Sequence, residues 1–218
     1  MQIRNCGEGA VILSVSYDRT RDAVAAVRHM YGLIQSHPHP AIETVRPGLD
    51  CILIEYSSDE IQDWLTELSS QAGARDFTSD QAITVEVPVC YDFGVDLPDV
   101  SIATGLGREE IIRIHSSVAY QVWMLGFMPG FPYLGELQRE LQIHRKNTPG
   151  TVVPAGSVAI AEEYTGIYPF QSPGGWHIIG RTPLQILDYN RKVPWTFEYG
   201  MSVKFIPITA DEYERMKS

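Results

Sequence analysis

Glycine and proline are concentrated in one segment of this 218-residue chain. Residues 126–183 hold nine of the 18 glycines and seven of the 14 prolines. Proline fixes φ and glycine permits positive φ, so a segment this rich in both favours short strands and tight turns over long helices. From Val122 to Ile208 we therefore expect a compact β-barrel or sandwich, with loops rigid enough to approach a ligand closely.

The first 90 residues show a different periodicity. Alternating apolar residues predict strands, and apolar residues at helical spacing predict helices, in the order β-α-β-β-α-β. The strand segments are AVILSVSY, AIETV, CILIEY and AITVEVPVCY, and the helix segments are RDAVAAVRHMYGLIQ and SSDEIQDWLTEL. This is the order of a ferredoxin-like split unit. We predict an α+β protein of two domains: residues 1–90, which are ferredoxin-like, and residues 91–218, which form the β-barrel and carry the functional site.

The formal net charge of −10 limits the classes of partner. A protein that binds the phosphate backbone of nucleic acids needs a basic surface, and so does one that binds anionic membranes. We therefore expect no nucleic-acid partner and no membrane partner. No segment approaches the roughly 18 apolar residues of a membrane span, and the N-terminus has no cleavable signal pattern.

Cysteine and histidine are few and scattered. Cys6, Cys51 and Cys90 are odd in number and widely spaced, which is typical of reduced thiols in a cytoplasmic protein. The six histidines form no ligand pattern, so we expect no metal site. The motifs G-x-x-x-x-G-K-[ST], G-x-S-x-G, H-E-x-x-H and G-x-G-x-x-G are also absent from the sequence. This absence favours a binding module or a part of a shared active site over a self-contained enzyme.

The loop GFMPGFPYLGE, residues 126–136, is the first candidate site. Phe127, Phe131 and Tyr133 can either fill a core or form the wall of a pocket. In the pocket interpretation, Gly130 and Gly135 expose backbone N–H groups to a ligand.

A second candidate is the turn in TPGTVVPAGSVAIA. Its residues Pro154, Gly156 and Ser157 form either a β-bulge or an anion-binding turn. The pattern alone leaves both interpretations open.

A third candidate is the segment QSPGGWHIIGRTP. Ser172, Gly174 and Gly175 can present several donors together beside the large flat face of Trp176. Arg181 can pair with a carboxylate or a phosphate, or form a salt bridge on the rim of the barrel.

His115 is the fourth candidate, and with Arg181 it is our candidate catalytic residue. It lies on the apolar face of the helix predicted for GREEIIRIHSSVAYQV. It is either a hydrogen-bonded core histidine or, if the helix lines a cleft, a general acid or base.

Several co-linear motifs resemble one family. GFMPGFPYLGEL, VPAGSVAIA, TGIYPFQSPGGW and IIGRTP occur in this order, and the chain resembles members of the allophanate hydrolase subunit 1 family, also called the KipI family. The resemblance implies an N-terminal ferredoxin-like domain and a C-terminal cyclophilin-like β-barrel. It also implies substrate-binding residues at the matching positions. These are Phe127, Gly130, Phe131, Tyr133, Pro154, Gly156, Ser157, Thr165, Tyr168, Ser172, Gly174, Gly175 and Trp176.

The function that the resemblance implies is shared between chains. The family supplies one component, inactive alone, to ATP-dependent 5-oxoprolinases, which open 5-oxoproline to glutamate. The implied partners in this hetero-oligomer are a subunit 2 homologue, called the C subunit in 5-oxoprolinases, which completes the cleft, and an A subunit of the LamB/YcsF type. ATP is bound by the complex, since this chain has no Walker motif.

Two alternatives come from the same family. One is a KipI-like inhibitor that binds a sensor histidine kinase, with Phe127, Phe131, Tyr133 and Trp176 as exposed anchors. The other is subunit 1 of an allophanate or urea-amide hydrolase. Relatives commonly have arginine where this chain has Gly150, and Lys146 is a candidate to replace that charge.

Overall fold

The computed structural model describes residues 1–58, 60–71 and 83–217. The chain divides into two compact units, Met1–Gln81 and Ala82–Ser218. Among the residues that the structure describes, no helix has both the length and the apolar character needed to cross a membrane.

The first unit is a four-stranded antiparallel sheet with two helices. The strand order is β1-β2-β4-β3. The elements are β1 Gln2–Asn5, β2 Ala10–Ser14, α1 Thr20–Ser36, β3 Ile42–Pro47, β4 Cys51–Tyr56 and α2 Ile61–Gln71. Helix α1 buries residues at helical spacing, including Val24, Val27 and Ile34, and strand β4 alternates between buried and half-buried positions. The periodicities in the sequence therefore predicted helix α1 and strand β4 correctly.

The sixth predicted element of this unit belongs to the other one. Strand β5, Thr84–Val89, pairs in parallel with a C-terminal strand instead of closing the first sheet. The place beside β2 is taken by β1, which precedes it in the chain. The predicted position of this strand in a ferredoxin-like sheet is therefore wrong, and the first unit ends at Gln81 and not at residue 90. Alternation shows which face of a strand is buried but not which sheet receives the strand.

The second unit contains a seven-stranded sheet in the order β12-β9-β10-β7-β6-β13-β5 and a two-stranded ribbon, β11-β8. Its strands are β5 Thr84–Val89, β6 Ala119–Leu125, β7 Pro132–Gly135, β8 Gly150–Val153, β9 Ser157–Ala161, β10 Tyr164–Ile167, β11 Ser172–Gly174, β12 His177–Arg181 and β13 Ser202–Pro207. Its helices are α3 Leu97–Thr104, α4 Arg108–Ser117 and α5 Ala210–Lys217.

The ends of the seven-stranded sheet meet, which makes it barrel-like. Cys90, just after β5, forms an antiparallel bridge with Arg181 at the end of β12. The two residues exchange backbone hydrogen bonds with N···O distances of 2.9 and 3.0 Å. The prediction of a compact β-barrel here is therefore confirmed in its coarse form, and its likeness to cyclophilin stays a prediction.

The sheet has a core on each face, because successive side chains of a strand point to opposite sides. Along β9, Val158 and Ile160 face the inner core, which also holds Phe205. Ala159 and Ala161 face a second, outer core. The small alanine side chains leave space on the outer face for the aromatic rings described below.

Candidate functional site: an aromatic cluster on the outer face of the second sheet

The outer face of the sheet carries a group of rings that we call the outer aromatic cluster: Phe131, Tyr133, Tyr164, Tyr168 and Trp176. The ring centroid of Phe131 lies 5.2 Å from those of Tyr133 and Tyr168 and 5.4 Å from that of Trp176. Tyr133 lies 5.6 Å from Tyr164. These are edge-to-face contacts, which aromatic rings prefer. Four predicted site residues from two separate motifs thus lie together in space.

Burial differs sharply within this region. Phe131 and Tyr168 are each 1% exposed and Trp176 is 5% exposed, whereas Tyr133 is half-buried. Phe127 contacts the Phe131 ring at 5.6 Å and is 63% exposed. The prediction that Phe131 and Trp176 are exposed anchors is therefore wrong, because both rings pack inside the outer core.

Glycines make room for these rings. A Cβ atom at Gly166 would lie 2.8 Å from Cζ of Phe131, and one at Gly174 would lie 2.2 Å from Oη of Tyr168. Both distances are shorter than any normal carbon contact, so a larger residue would displace the ring. The high glycine content of the segment is thus explained in part by aromatic packing.

The predicted role of Gly135 as a backbone donor is not supported, and neither is an anion-binding turn that uses the N–H of Gly156. Gly135 is buried in β7, where an added Cβ would lie 2.4 Å from the Trp123 ring. The N–H of Gly156 donates to the Tyr168 carbonyl at 2.7 Å. Neither N–H group is available to a ligand, because one is in the sheet under an indole and the other is already bonded.

Replacing Gly174 by alanine is expected to lower the free energy of unfolding by about 1–3 kcal/mol, because the new methyl group collides with Tyr168. The matched control is Gly175→Ala, where the nearest atom would lie at an ordinary 3.7 Å. Chemical denaturation of both variants measures the difference. Equal stability of the two would contradict the packing role of Gly174.

The turn at residues 154–157 is held by backbone bonds. Gly156 has φ 79°, a conformation that favours glycine. The N–H of Tyr168 donates to the Ser157 carbonyl at 2.9 Å, which ties the turn to the end of β10. Ser157 is 1% exposed, and Pro154 is exposed. The structure therefore favours the tight-turn interpretation of this motif.

The backbone and the side chain of Arg181 have different roles. Its backbone closes the barrel with Cys90, as described above. Its Nε donates to the Ala155 carbonyl at 2.8 Å, which positions the guanidinium over the 154–157 turn. No carboxylate forms an ion pair with it within the described ranges, so the predicted rim salt bridge is not formed there.

His115 lies in the inner core, fully buried. Its Nδ1 lies 2.7 Å from the Tyr91 hydroxyl, and its Nε2 lies 2.9 Å from Oγ1 of Thr165. Thr165 donates its proton to the Ala159 carbonyl at 3.0 Å, so it must accept from Nε2–H. It follows that Nδ1 accepts from Tyr91. The imidazole stacks on Phe205 with a centroid distance of 4.5 Å.

This environment keeps His115 neutral. Burial lowers its pKa from 6.5 to about 3, because the charged form loses its hydration. A general acid or base needs access to its substrate, and both ring nitrogens are already bonded inside the core. The geometry therefore supports a structural role for His115 and Thr165 and gives no support to their predicted catalytic and substrate-binding roles.

A buried ion pair lies beside the outer aromatic cluster. Nζ of Lys146 lies 2.8 Å from Oδ2 of Asp96, and the two side chains are 20% and 12% exposed. The same oxygen accepts the N–H of Ile178 at 2.7 Å. Because Asp96 neutralises Lys146, this lysine is not an unpaired cation that could replace an arginine at position 150.

Ser172 has an unsatisfied hydroxyl. Its Oγ is buried and has no hydrogen-bond partner in the described part of the chain. The hydroxyl therefore keeps its capacity to donate a hydrogen bond.

Two cavities of the second unit lie away from the predicted site residues. One of about 340 Å³ is lined by residues that include Tyr91 and Arg108, and one of about 670 Å³ by residues that include His144 and Glu162. Within the described ranges, no group of three or more His, Cys, Asp or Glu residues could hold a metal ion.

The sequence patterns did not predict some of the residues at or beside the outer aromatic cluster. Asp96 lies 50 positions from Lys146, and no local pattern relates the two. Arg145 lies in a polar segment without periodicity. Tyr164 alternates with buried Thr165 on β10, and this alternation could have placed it on the outer face with Tyr168.

The fold and site define a class: a two-unit α/β protein whose barrel-like unit bears a motif-rich aromatic cluster. The model of the carboxyltransferase domain, subdomain C and D, matches residues 1–197. The chain therefore belongs to this carboxyltransferase family, which confirms the resemblance predicted from its motifs.

Two bacterial proteins and one solved structure are similar to this chain along most of its length. The chain is 36% identical to the 5-oxoprolinase B subunit of Escherichia coli O157:H7 over 95% of its own length and 97% of that protein. It is 33% identical to the 5-oxoprolinase B subunit of Bacillus subtilis, covering 99% of this chain and 96% of that one. The crystal structure of TTHA0988 superposes with a TM-score of 0.77 at 30% identity, covering 96% of this chain. This chain spans only 41% of TTHA0988.

Proposed function

We propose that this protein is the B subunit of an ATP-dependent 5-oxoprolinase, inactive alone, which opens 5-oxoproline to glutamate with hydrolysis of ATP. The observation that carries the proposal is the match to two relatives named as 5-oxoprolinase B subunits, along nearly their whole lengths. A C-subunit homologue completes the cleft, an A subunit of the LamB/YcsF type joins the complex, and ATP is bound by the assembly.

Opening the lactam of 5-oxoproline requires two contributions from such a site. A lactam carbonyl is a poor electrophile, so the site must stabilise negative charge on its oxygen and exclude bulk water. The outer aromatic cluster supplies apolar walls, and the Ser172 hydroxyl and the Arg181 guanidinium supply donors without carboxylate partners among the described residues. We do not assign the donor role to Gly156, since its N–H is already bonded.

An exposed apolar surface near the site favours a protein partner. A Cβ at Gly130 would lie 3.5 Å from Leu187 and 3.8 Å from Pro169, so three chain segments converge there. These segments expose large apolar side chains: Phe127, Phe170, Leu184, Tyr189, Val193 and Trp195. Apolar side chains gathered on a surface are typical of protein interfaces, and we place the contact with the C-subunit homologue here.

The test is complex formation followed by ligand binding. Size-exclusion chromatography of this protein mixed with candidate A and C subunits is expected to give one co-eluting species, and 5-oxoproline with ATP is expected to raise its Tm. Binding instead to the dimerisation domain of a sensor histidine kinase, with loss of kinase autophosphorylation, would favour the KipI-like inhibitor. A Tm raised by allophanate alone would favour the urea-amide hydrolase.

A further inference from the structure

Arg145 lies directly beside the outer aromatic cluster. The residues that flank it are bonded to the residues that flank Trp176, which places Arg145 opposite that tryptophan. The bonds are Lys146 N–H to the Gly175 carbonyl at 2.8 Å and His177 Nε2 to the His144 carbonyl at 3.0 Å.

Arg145 and its neighbour Lys146 differ in whether a carboxylate pairs with them. Lys146 points to Asp96 and is neutralised by it. Arg145 is exposed, and no ion pair involves it in the part of the chain that the structure describes. On a protein of net charge −10, an unpaired guanidinium next to buried aromatic rings is a local binding point for an anion.

The hydroxyl groups nearby are donors as well. Burial raises the pKa of Tyr133 and of Tyr168, and the Arg145 charge, acting on both hydroxyls, lowers it only in part. Both hydroxyls therefore keep their protons. The exposed Arg145 guanidinium and the half-buried Tyr133 phenol are both donors, and together they suit an oxyanion.

We propose that Arg145 binds the carboxylate of the substrate, with the lactam ring against the half-buried rings of Tyr133 and Tyr164. This inference rests on the proposed function, because it takes 5-oxoproline as the ligand. Arginine suits the task, since its planar guanidinium can hold a carboxylate with two parallel hydrogen bonds. A phosphate of ATP offers the same oxyanion chemistry, and the experiment must separate the two sources.

The test compares Arg145→Gln with the control Arg139→Gln, an exposed arginine in the turn before this segment. Each variant is assembled with the A and C subunits. The measurements are KM for 5-oxoproline, KM for ATP and the inhibition constant of 2-pyrrolidinone, which is the same lactam without the carboxylate. Removing a charge-assisted hydrogen bond costs about 1.5–3 kcal/mol. We therefore expect the 5-oxoproline KM of Arg145→Gln to rise roughly 10- to 100-fold.

The other constants decide the interpretation. With Arg145→Gln, inhibition by 2-pyrrolidinone and the KM for ATP are expected to stay within about twofold of wild type, and Arg139→Gln is expected to behave as wild type throughout. An unchanged 5-oxoproline KM would overturn the role of Arg145, and so would a rise confined to the KM for ATP. A wild-type complex without 5-oxoproline turnover would instead overturn the proposed function, together with this inference.

Discussion

Replacing His115 by alanine is expected to lower the free energy of unfolding by about 3–5 kcal/mol. Two costs combine in this variant. Loss of the His115 imidazole, which stacks on Phe205, leaves a cavity in the inner core. Tyr91 also loses the acceptor that its buried hydroxyl uses. Chemical denaturation followed by circular dichroism measures the change.

The same residue predicts how stability depends on pH. The pKa of His115 is about 3 in the folded chain and about 6.5 in an unfolded one. Between these values the unfolded chain binds a proton that the folded chain does not, so acid favours unfolding. The contribution of His115 is complete above pH about 6.5 and falls by up to about 1.4 kcal/mol per pH unit on acidification towards pH 3.

His115→Gln isolates this effect, because glutamine keeps a donor and an acceptor but does not titrate. We expect its stability to decline less steeply between pH 6.5 and pH 4 than that of wild type. The control is His144→Gln, which removes an imidazole that is 96% exposed and leaves the inner core intact. Equal slopes for wild type and His115→Gln would contradict the neutral core histidine, and loss of turnover with unchanged stability would restore the catalytic interpretation.

Replacing Phe131 by alanine is the second change with a large expected effect, about 3–5 kcal/mol. The Phe131 ring is 1% exposed and contacts the rings of Tyr133, Tyr168 and Trp176. Removing it takes one edge-to-face contact from each of these three neighbours. The measurement is the free energy of unfolding together with near-ultraviolet circular dichroism, which reports the ordering of the aromatic rings.

Phe127 offers a matched control on the same loop. It is 63% exposed, so Phe127→Ala is expected to change the free energy of unfolding by less than about 1 kcal/mol. Its expected effect is weaker association with the C-subunit homologue, because its ring lies on the proposed partner surface. Similar stability losses for Phe127→Ala and Phe131→Ala would contradict the division of the loop into a buried ring and an exposed one.

Local periodicity predicted most elements of the first unit but not the sheet to which each strand belongs. Helix α1 and strands β2, β3 and β4 lie where the apolar spacing placed them. Strand β5 was predicted as a strand and assigned to the wrong sheet, because its partner β13 lies more than 100 residues away in the chain. Helix α4 ends at Ser117, five residues before the predicted end at Val122, because the chain turns into β6 there.

The sequence predicted which residues make up the candidate site, but it did not predict what each of them does there. The aromatic residues of two motifs do lie together, as the resemblance implied. The glycines proved to accommodate rings, because a contact such as that of Gly174 with Tyr168 depends on the fold. Asp96 pairs with Lys146, whereas Arg145 has no ion pair among the described residues. This difference depends on a tertiary contact, which no local pattern encodes.

The most direct test of the account is an assay of glutamate and ADP release from 5-oxoproline and ATP. The protein is assayed alone, with each candidate partner, and with the A and C subunits together. We expect equimolar glutamate and ADP from the complete mixture only, and none when this protein is omitted. No glutamate from a complete mixture that co-elutes as one complex, or full activity in the absence of this protein, would contradict the proposed role.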